Sequence, residues 1–132
     1  MKRAFKLKTL AALAGAAAAV IGASPASAQG LRIIPQNYCY VSSPSAATTL
    51  LAGFTCDKAL TTALLGSYQY AVICAYTQGF VWKDNGQVPT GTPGSGGTGV
   101  ASGQCFGYNG NFQAIQFIQQ TSGAIISVAL YK

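Results

Sequence analysis

Alternating apolar and polar positions are clearest in the segment SYQYAVICAYT, residues 67–77. A period of two residues is typical of a β-strand, because successive side chains point to opposite faces of a sheet. The pattern therefore predicts a strand that is covered on at least one face. One side of this strand carries Tyr68, Tyr70, Val72, Cys74 and Tyr76.

Two further apolar runs, FQAIQFIQQ and AIISVALY, stand on either side of the triplet Thr121-Ser122-Gly123. Both runs are rich in strand-forming residues and contain neither charge nor proline. They predict strands over 112–120 and 124–131 that are joined by a turn at the triplet. Upstream, Asn85-Gly86 lies between the extended runs FVWK and QV. This pair tolerates the positive φ angles of a tight turn and predicts a hairpin tip.

Two stretches before residue 67 carry the start and stop signals of short helices. In SPSAATTLLAG, Ser43 is a possible N-cap, Pro44 suits the first turn and Gly53 suits the end. Asp57 is a second N-cap before KALTTALL, and Gly66 ends that stretch. The pattern predicts an α+β domain with one or two short N-terminal helices packed on a mainly antiparallel sheet of five or six strands. An all-β sandwich is the alternative.

Residues 91–103, GTPGSGGTGVASG, are rich in glycine and poor in large apolar side chains. This composition predicts a flexible loop rather than a packed element. Too little chain follows it for a second domain, so the loop is expected to belong to a single domain.

Residues 1–28 have the layout of a secretory signal peptide: a basic start, the apolar stretch TLAALAGAAAAVIGA and the small-residue end ASPASA. We expect cleavage after Ala28, which leaves one domain over residues 29–132. The apolar stretch is shorter than the roughly 20 residues that span a bilayer. The expected location is therefore secreted, periplasmic or at the cell surface, with no membrane span after signal removal.

Charge argues against nucleic acid as a partner. The chain contains eight basic and two acidic residues. Four of the basic residues lie in the expected signal, which leaves a mature net charge of +2. The remaining basic residues are scattered singly, whereas binding to a phosphate backbone requires clustered cations.

Four cysteines in an exported chain favour two disulfides rather than free thiols. Four cysteines allow three connectivities. Pairing between cysteines that are consecutive in the sequence is preferred, because each disulfide would then close one local loop of the chain. Zinc is not expected, because no two cysteines have the short spacing of a zinc knuckle and the chain contains no histidine. The preferred pairs are Cys39 with Cys56 and Cys74 with Cys105.

The chain lacks the side chains that most enzyme mechanisms need. It has no histidine and no glutamate, and its only acidic residues are Asp57 and Asp84. A serine–histidine or cysteine–histidine mechanism therefore has no base, and a hydrolytic metal has none of its usual ligands. We expect a non-enzymatic protein without a cofactor or metal.

The best candidate for a binding contact is Trp82, beside Lys83 and Asn85 at the predicted hairpin tip. Tryptophan combines a large apolar body with one hydrogen-bond donor and suits a binding surface, although core packing is the favoured role because Phe80 and Trp82 would share a strand face. These residues support an alternative function, a monomeric binding module such as a hydrolase inhibitor.

The first functional expectation is a structural protein that self-associates through its C-terminal strands into a surface or extracellular assembly. Uncharged, strand-forming runs template strand addition where an edge is exposed, but the same composition is typical of a central, buried strand, and the sequence leaves both alternatives open. The expected partners are copies of the same chain or another exported protein. The residues expected to mediate self-association are Phe112, Ile115, Phe117, Ile125, Val128 and Tyr131.

Overall fold

The computed structural model describes residues 34–132. The expected signal peptide and the first residues after it lie outside this range. No helix in the described part of the chain is long and apolar enough to cross a membrane. In chain order the elements are β1 (Asn37–Ser42), β2 (Thr48–Thr49), α1 (Leu50–Gly53), β3 (Thr55–Cys56), α2 (Thr62–Leu65), β4 (Tyr70–Tyr76), β5 (Phe80–Lys83), β6 (Thr98–Val100), β7 (Cys105–Tyr108), β8 (Gln116–Gln119) and β9 (Ile125–Tyr131).

The strands form two antiparallel sheets. The first sheet has the order β3-β1-β9-β4-β7, and the second has the order β2-β8-β5-β6. In the long strands, burial alternates with a period of two: β9 buries Ile126, Val128 and Leu130 and leaves the intervening residues half-buried. The apolar side chains of these strands therefore face one side of each sheet, as the alternation in the sequence predicts for β4 and β9.

Both sheets contribute to one hydrophobic core. Phe80 of β5 and Phe117 of β8 come from the second sheet, and their rings lie 5.8 Å apart in an edge-to-face arrangement. Phe80 also approaches Phe106 of β7, with ring centroids 6.4 Å apart. Because Phe106 belongs to the first sheet, this contact joins the two layers.

The prediction of an α+β domain is wrong, and the two antiparallel sheets agree with the all-β alternative. Each described helix is a single turn. Thr49 caps α1 by accepting a hydrogen bond from the N–H of Ala52 at 3.2 Å, and Thr61 caps α2 by accepting one from the N–H of Leu64 at 3.1 Å. Threonine favours strands as well as N-caps, and Thr48–Thr49 form β2 where a longer helix was predicted.

Both disulfides join neighbouring cysteines in the sequence, as preferred from the spacing. Cys39 pairs with Cys56, and Cys74 pairs with Cys105. The members of each pair stand opposite each other on adjacent strands. Since β3 and β7 are the two edges of the first sheet, each disulfide ties one edge strand to the strand inside it.

The C-terminal strand lies in the middle of the first sheet. β9 pairs along its length with β1 on one side and with β4 on the other. The two C-terminal strands also do not pair with each other, because β8 belongs to the second sheet. Gly123 has a φ of 93°, so the predicted turn is present, but it carries the chain from one sheet to the other.

The glycine-rich segment is part of the second sheet. It contains β6, which pairs with β5. Gly94 and Gly97 form an isolated bridge, with backbone hydrogen bonds of 2.9 and 3.0 Å. A Cβ atom at Gly97 would lie 2.7 Å from Cγ1 of Val81 and 2.6 Å from the carbonyl oxygen of Trp82. Glycine at this position therefore lets the segment pack directly against β5.

Candidate binding groove

Trp82 connects the two sheets at one side of the domain. Its ring stacks on Phe106, with ring centroids 5.0 Å apart and an angle of 13° between the planes. It also meets the edge of Tyr108 at 5.6 Å. Trp82 lies on β5, and Phe106 and Tyr108 lie on β7. The half-buried indole is thus a packing residue and part of the surface at the same time.

Two cavities border Trp82, one of about 510 Å³ and one of about 460 Å³. Both also border Thr98 and Gly99 of β6, so they lie side by side. We call the two together the Trp82 groove. The groove runs beside β6 and β7, which are edge strands of the second and first sheets. Its lining residues are Trp82, Lys83, Asp84, Asn85, Gly94, Gly97, Thr98, Gly99, Val100, Gln104, Cys105 and Phe106.

The groove brings together the three residues predicted as binding contacts. Trp82 forms one wall with Lys83 and Asn85 beside it. The local backbone accounts for this placement: Gly86 has a φ of 77°, and the side-chain oxygen of Asn85 accepts a hydrogen bond from the N–H of Gln87 at 3.1 Å. The turn at Asn85-Gly86 is present. It does not close a tight hairpin, because the partner of β5 is β6, which begins at Thr98.

Tyr108 and Asp84 form the polar pair of the groove region. The Tyr108 hydroxyl donates a hydrogen bond to Oδ2 of Asp84 at 3.2 Å. Burial raises the pKa of Tyr108 well above its usual value, and the adjacent Asp84 carboxylate raises it further. The phenol therefore stays protonated and remains a donor at every physiological pH.

One donor near the groove has no partner among residues 34–132. Nε1 of Trp82 is buried and makes no hydrogen bond there. A buried N–H without an acceptor carries a cost of about 1–3 kcal/mol.

The residues predicted for self-association do not form one surface. Phe112, Ile115, Phe117 and Val128 are buried in the core. Ile125 and Tyr131 are half-buried, on the opposite face of β9 from Val128. Folding therefore removes most of this set from contact with another molecule.

Sequence reasoning missed part of the groove. The sequence predicts no binding role for Asp84, and it does not predict Phe106, Tyr108 or Gln104 as neighbours of Trp82. The alternation of Phe106 and Tyr108 is the available signal for one aromatic face of a strand. The sequence does not show which strand this aromatic face packs against, because the contacts are non-local. The hydrogen bond between Tyr108 and Asp84, for example, joins residues 24 positions apart.

The chemistry of the groove is suited to binding. It combines one aromatic wall, amide side chains, a lysine and an aspartate. Within residues 34–132, no group of three or more histidine, cysteine or acidic side chains is arranged to hold a metal ion. No protein-family model matches the chain, and neither a curated protein nor a solved structure shows significant similarity to it.

Proposed function

We propose that the mature chain is an exported, non-enzymatic binding domain that captures an extended polypeptide segment of another protein in the Trp82 groove. The observation that carries this proposal is the position of the groove beside two sheet edges, β6 and β7, with an aromatic residue between them. The two disulfides are compatible with export.

An extended segment suits this groove because sheet edges bind strands through their backbone groups. Among the described strands, β6 has β5 as its one neighbour and β7 has β4. Each edge therefore directs backbone N–H and C=O groups outward, which is the basis of strand addition. Side-chain pockets next to such an edge supply specificity.

The side chains of the groove fit a peptide with mixed chemistry. Trp82 offers an apolar surface, while Lys83 and Asp84 carry opposite charges next to each other. Asn85 and Gln104 add amide groups on the two sides of Trp82. Buried aromatic anchors surrounded by polar groups are typical of the strongest contacts in protein interfaces.

Self-association through the C-terminal strands stays a prediction, and the geometry supports it less well. Both long edges of β9 are already paired inside the sheet. Another strand could pair with β9 only if β1 or β4 first separated from it. Sedimentation velocity of the oxidised, signal-cleaved protein over a wide concentration range tests it. A single monomer boundary would argue against assembly, and a concentration-dependent series would support it.

The groove can be tested with displayed peptides. Short random peptides on phage would be selected against the immobilised, oxidised domain, and their affinities would then be compared for the wild type and Trp82→Phe. We expect the substitution to weaken binding roughly tenfold, because hot-spot contacts contribute more than about 1 kcal/mol each. Phenylalanine retains an aromatic ring against Phe106, so the fold is expected to survive.

Leu51→Ala is the matched control, since Leu51 is an exposed apolar residue on α1 outside the groove. Binding of a peptide should also shift the backbone amide NMR signals of β6 and β7. Failure to select any peptide, or equal affinity for the wild type and Trp82→Phe, would refute the proposed role of the groove.

A further inference from the structure

The outer face of the first sheet carries a group of tyrosines outside the Trp82 groove. Alternation along β1, β4 and β9 places five tyrosines on the face that points away from the core. We call this surface the tyrosine face. It is defined by Tyr38, Tyr40, Tyr70, Tyr76 and Tyr131.

These tyrosines are accessible to a ligand. Tyr38 and Tyr40 are each 53% exposed, and Tyr76 is 52% exposed. Singly exposed tyrosines are normal on a protein surface, but here four of them lie on one face of one sheet, each more than two-fifths exposed.

Small residues form the floor between the tyrosines. Tyr40 stands opposite Ser127 of β9, and Tyr38 stands opposite Ala129. On the other side of β9, Ser127 stands opposite Cys74 and Ala129 opposite Val72. The side chains of Ser127 and Ala129 on β9 are therefore short, and the tyrosine rings of β1 and β4 project above them. A flat ligand can contact several rings at once.

The tyrosine face has no charge. None of the five strands of the first sheet contains a lysine, arginine, aspartate or glutamate. The nearest cation in the sequence, Lys132, follows β9 and lies 5.6 Å from the ring of the buried Tyr68. A charged polymer or an acidic protein surface would find no complementary group here, whereas a neutral ligand loses nothing by the absence of charge.

The size of the face argues against a second copy of the chain as its partner. Strands about 4.8 Å apart with a rise of about 3.4 Å per residue give the face formed by β1, β4 and β9 about 330 Å². A stable protein interface buries about 800 Å² on each partner. A polymer of repeated units does not have this requirement, because one domain needs to contact only a few units and affinity does not follow from buried area alone.

We propose that the tyrosine face binds a neutral polysaccharide. Sugar rings present flat C–H surfaces that stack on aromatic rings, and their hydroxyls are uncharged donors and acceptors. The tyrosine rings would take the C–H surfaces, while the tyrosine hydroxyls and the Ser127 hydroxyl would bond the sugar hydroxyls. This site is separate from the Trp82 groove, and neither proposal depends on the other.

Binding can be measured with the oxidised, signal-cleaved protein and named polymers. Microcrystalline cellulose and chitin serve as insoluble probes, and hydroxyethylcellulose, dextran and galactomannan serve as soluble probes in affinity gels. Alginate is the acidic comparison. We expect retention by at least one neutral polymer, unchanged by added sodium chloride, and none by alginate.

Substitutions at Tyr40 and Tyr76 test the surface itself. The double substitution Tyr40→Thr and Tyr76→Thr keeps strand-forming residues and removes two rings, and we expect affinity to fall by about tenfold or more. Phenylalanine at both positions should keep most of the affinity, because stacking remains. Val88→Thr is the control, since Val88 is 64% exposed and lies outside the first sheet.

The possible results separate this site from its alternatives. Retention of none of the neutral polymers would overturn the proposal. So would retention of alginate alone, or equal binding by the threonine double variant with an unchanged melting temperature. A reversible dimer that the same double variant abolishes would also overturn it, by showing that a second copy covers the face.

Discussion

The ring of Tyr70 lies across Gly107 of the adjacent strand β7. A Cβ atom at residue 107 would approach the tyrosine hydroxyl and would lie 2.9 and 3.0 Å from two ring carbons. The ring of Tyr131 lies beside it, with centroids 5.8 Å apart. An aromatic side chain that covers a glycine on the neighbouring strand shields the backbone there and fixes its own direction. Gly107 therefore holds part of the tyrosine face in shape.

Gly107→Ala tests this contact. We expect the free energy of unfolding to fall by about 1–3 kcal/mol, because the new methyl group overpacks against the Tyr70 ring. Urea unfolding of the oxidised protein measures the change. In a Tyr70→Thr background the same glycine substitution should cost much less, since the ring is gone. An equal cost in both backgrounds would show that the contact with Tyr70 is not the cause.

Removal of either disulfide is expected to destabilise the domain. The closed loops span 17 and 31 positions, so loop entropy gives about 3 kcal/mol for Cys39–Cys56 and about 4 kcal/mol for Cys74–Cys105. Paired Cys→Ala variants, compared by urea unfolding, measure the two losses. Peptide mapping of the unreduced protein checks the pairing, and a cross-linked peptide with Cys39 joined to Cys74 would contradict it.

Local patterns predicted some elements of this fold well. The alternation in residues 67–77 predicted β4, and the run over 124–131 predicted β9. In both strands the apolar residues alternate with a period of two, which places them on one face of a strand but not on one face of a helix. Neither pattern shows which strands stand on either side. The central position of β9 depends on its pairing with β1, about 90 residues earlier in the chain.

The incorrect predictions have the same cause: contacts between distant parts of the chain decide between structures that the local sequence allows. Thr48 and Thr49 suit a strand and an N-cap, and contact with Phe117 and Gln116 of β8 decided in favour of β2. The sequence leaves Trp82 with two possible roles, core packing or a binding surface, because its stacking on Phe106 is a contact between sheets that no local pattern shows. The sequence shows alternate tyrosines in β1 and β4, but it does not show that these strands share one face with Tyr131. The neutrality of the tyrosine face became apparent only when the five strands were assembled.

The two faces of β9 should respond differently to threonine. Val128 is fully buried, and Val128→Thr keeps the shape of the side chain while burying a hydroxyl. We expect a loss of about 1–3 kcal/mol in the free energy of unfolding. Ser127→Thr, the adjacent residue on the tyrosine face, should change it by less than about 0.5 kcal/mol. Similar losses at both positions would contradict the assignment of a core face and an outer face.

The pair of Tyr108 and Asp84 predicts a loss of stability at alkaline pH. Burial raises the pKa of Tyr108 in the folded protein, and Asp84 raises it further. In the unfolded chain the phenol loses its proton near its ordinary pKa of about 10. Above that pH the folded state holds a proton that the unfolded state has released. The free energy of unfolding should therefore decrease as the pH rises past about 10.

Tyr108→Phe isolates this contribution, because the two proteins differ only in the hydroxyl of residue 108. At pH 7 we expect the variant to be less stable by about 1 kcal/mol, owing to the lost hydrogen bond to Asp84. As the pH rises above about 10, the wild type should lose its advantage and the two urea midpoints should converge or cross. Asp84→Asn should weaken the same dependence, since it removes the charge that opposes ionisation of the phenol. A constant difference between wild type and Tyr108→Phe across this pH range would contradict the raised pKa.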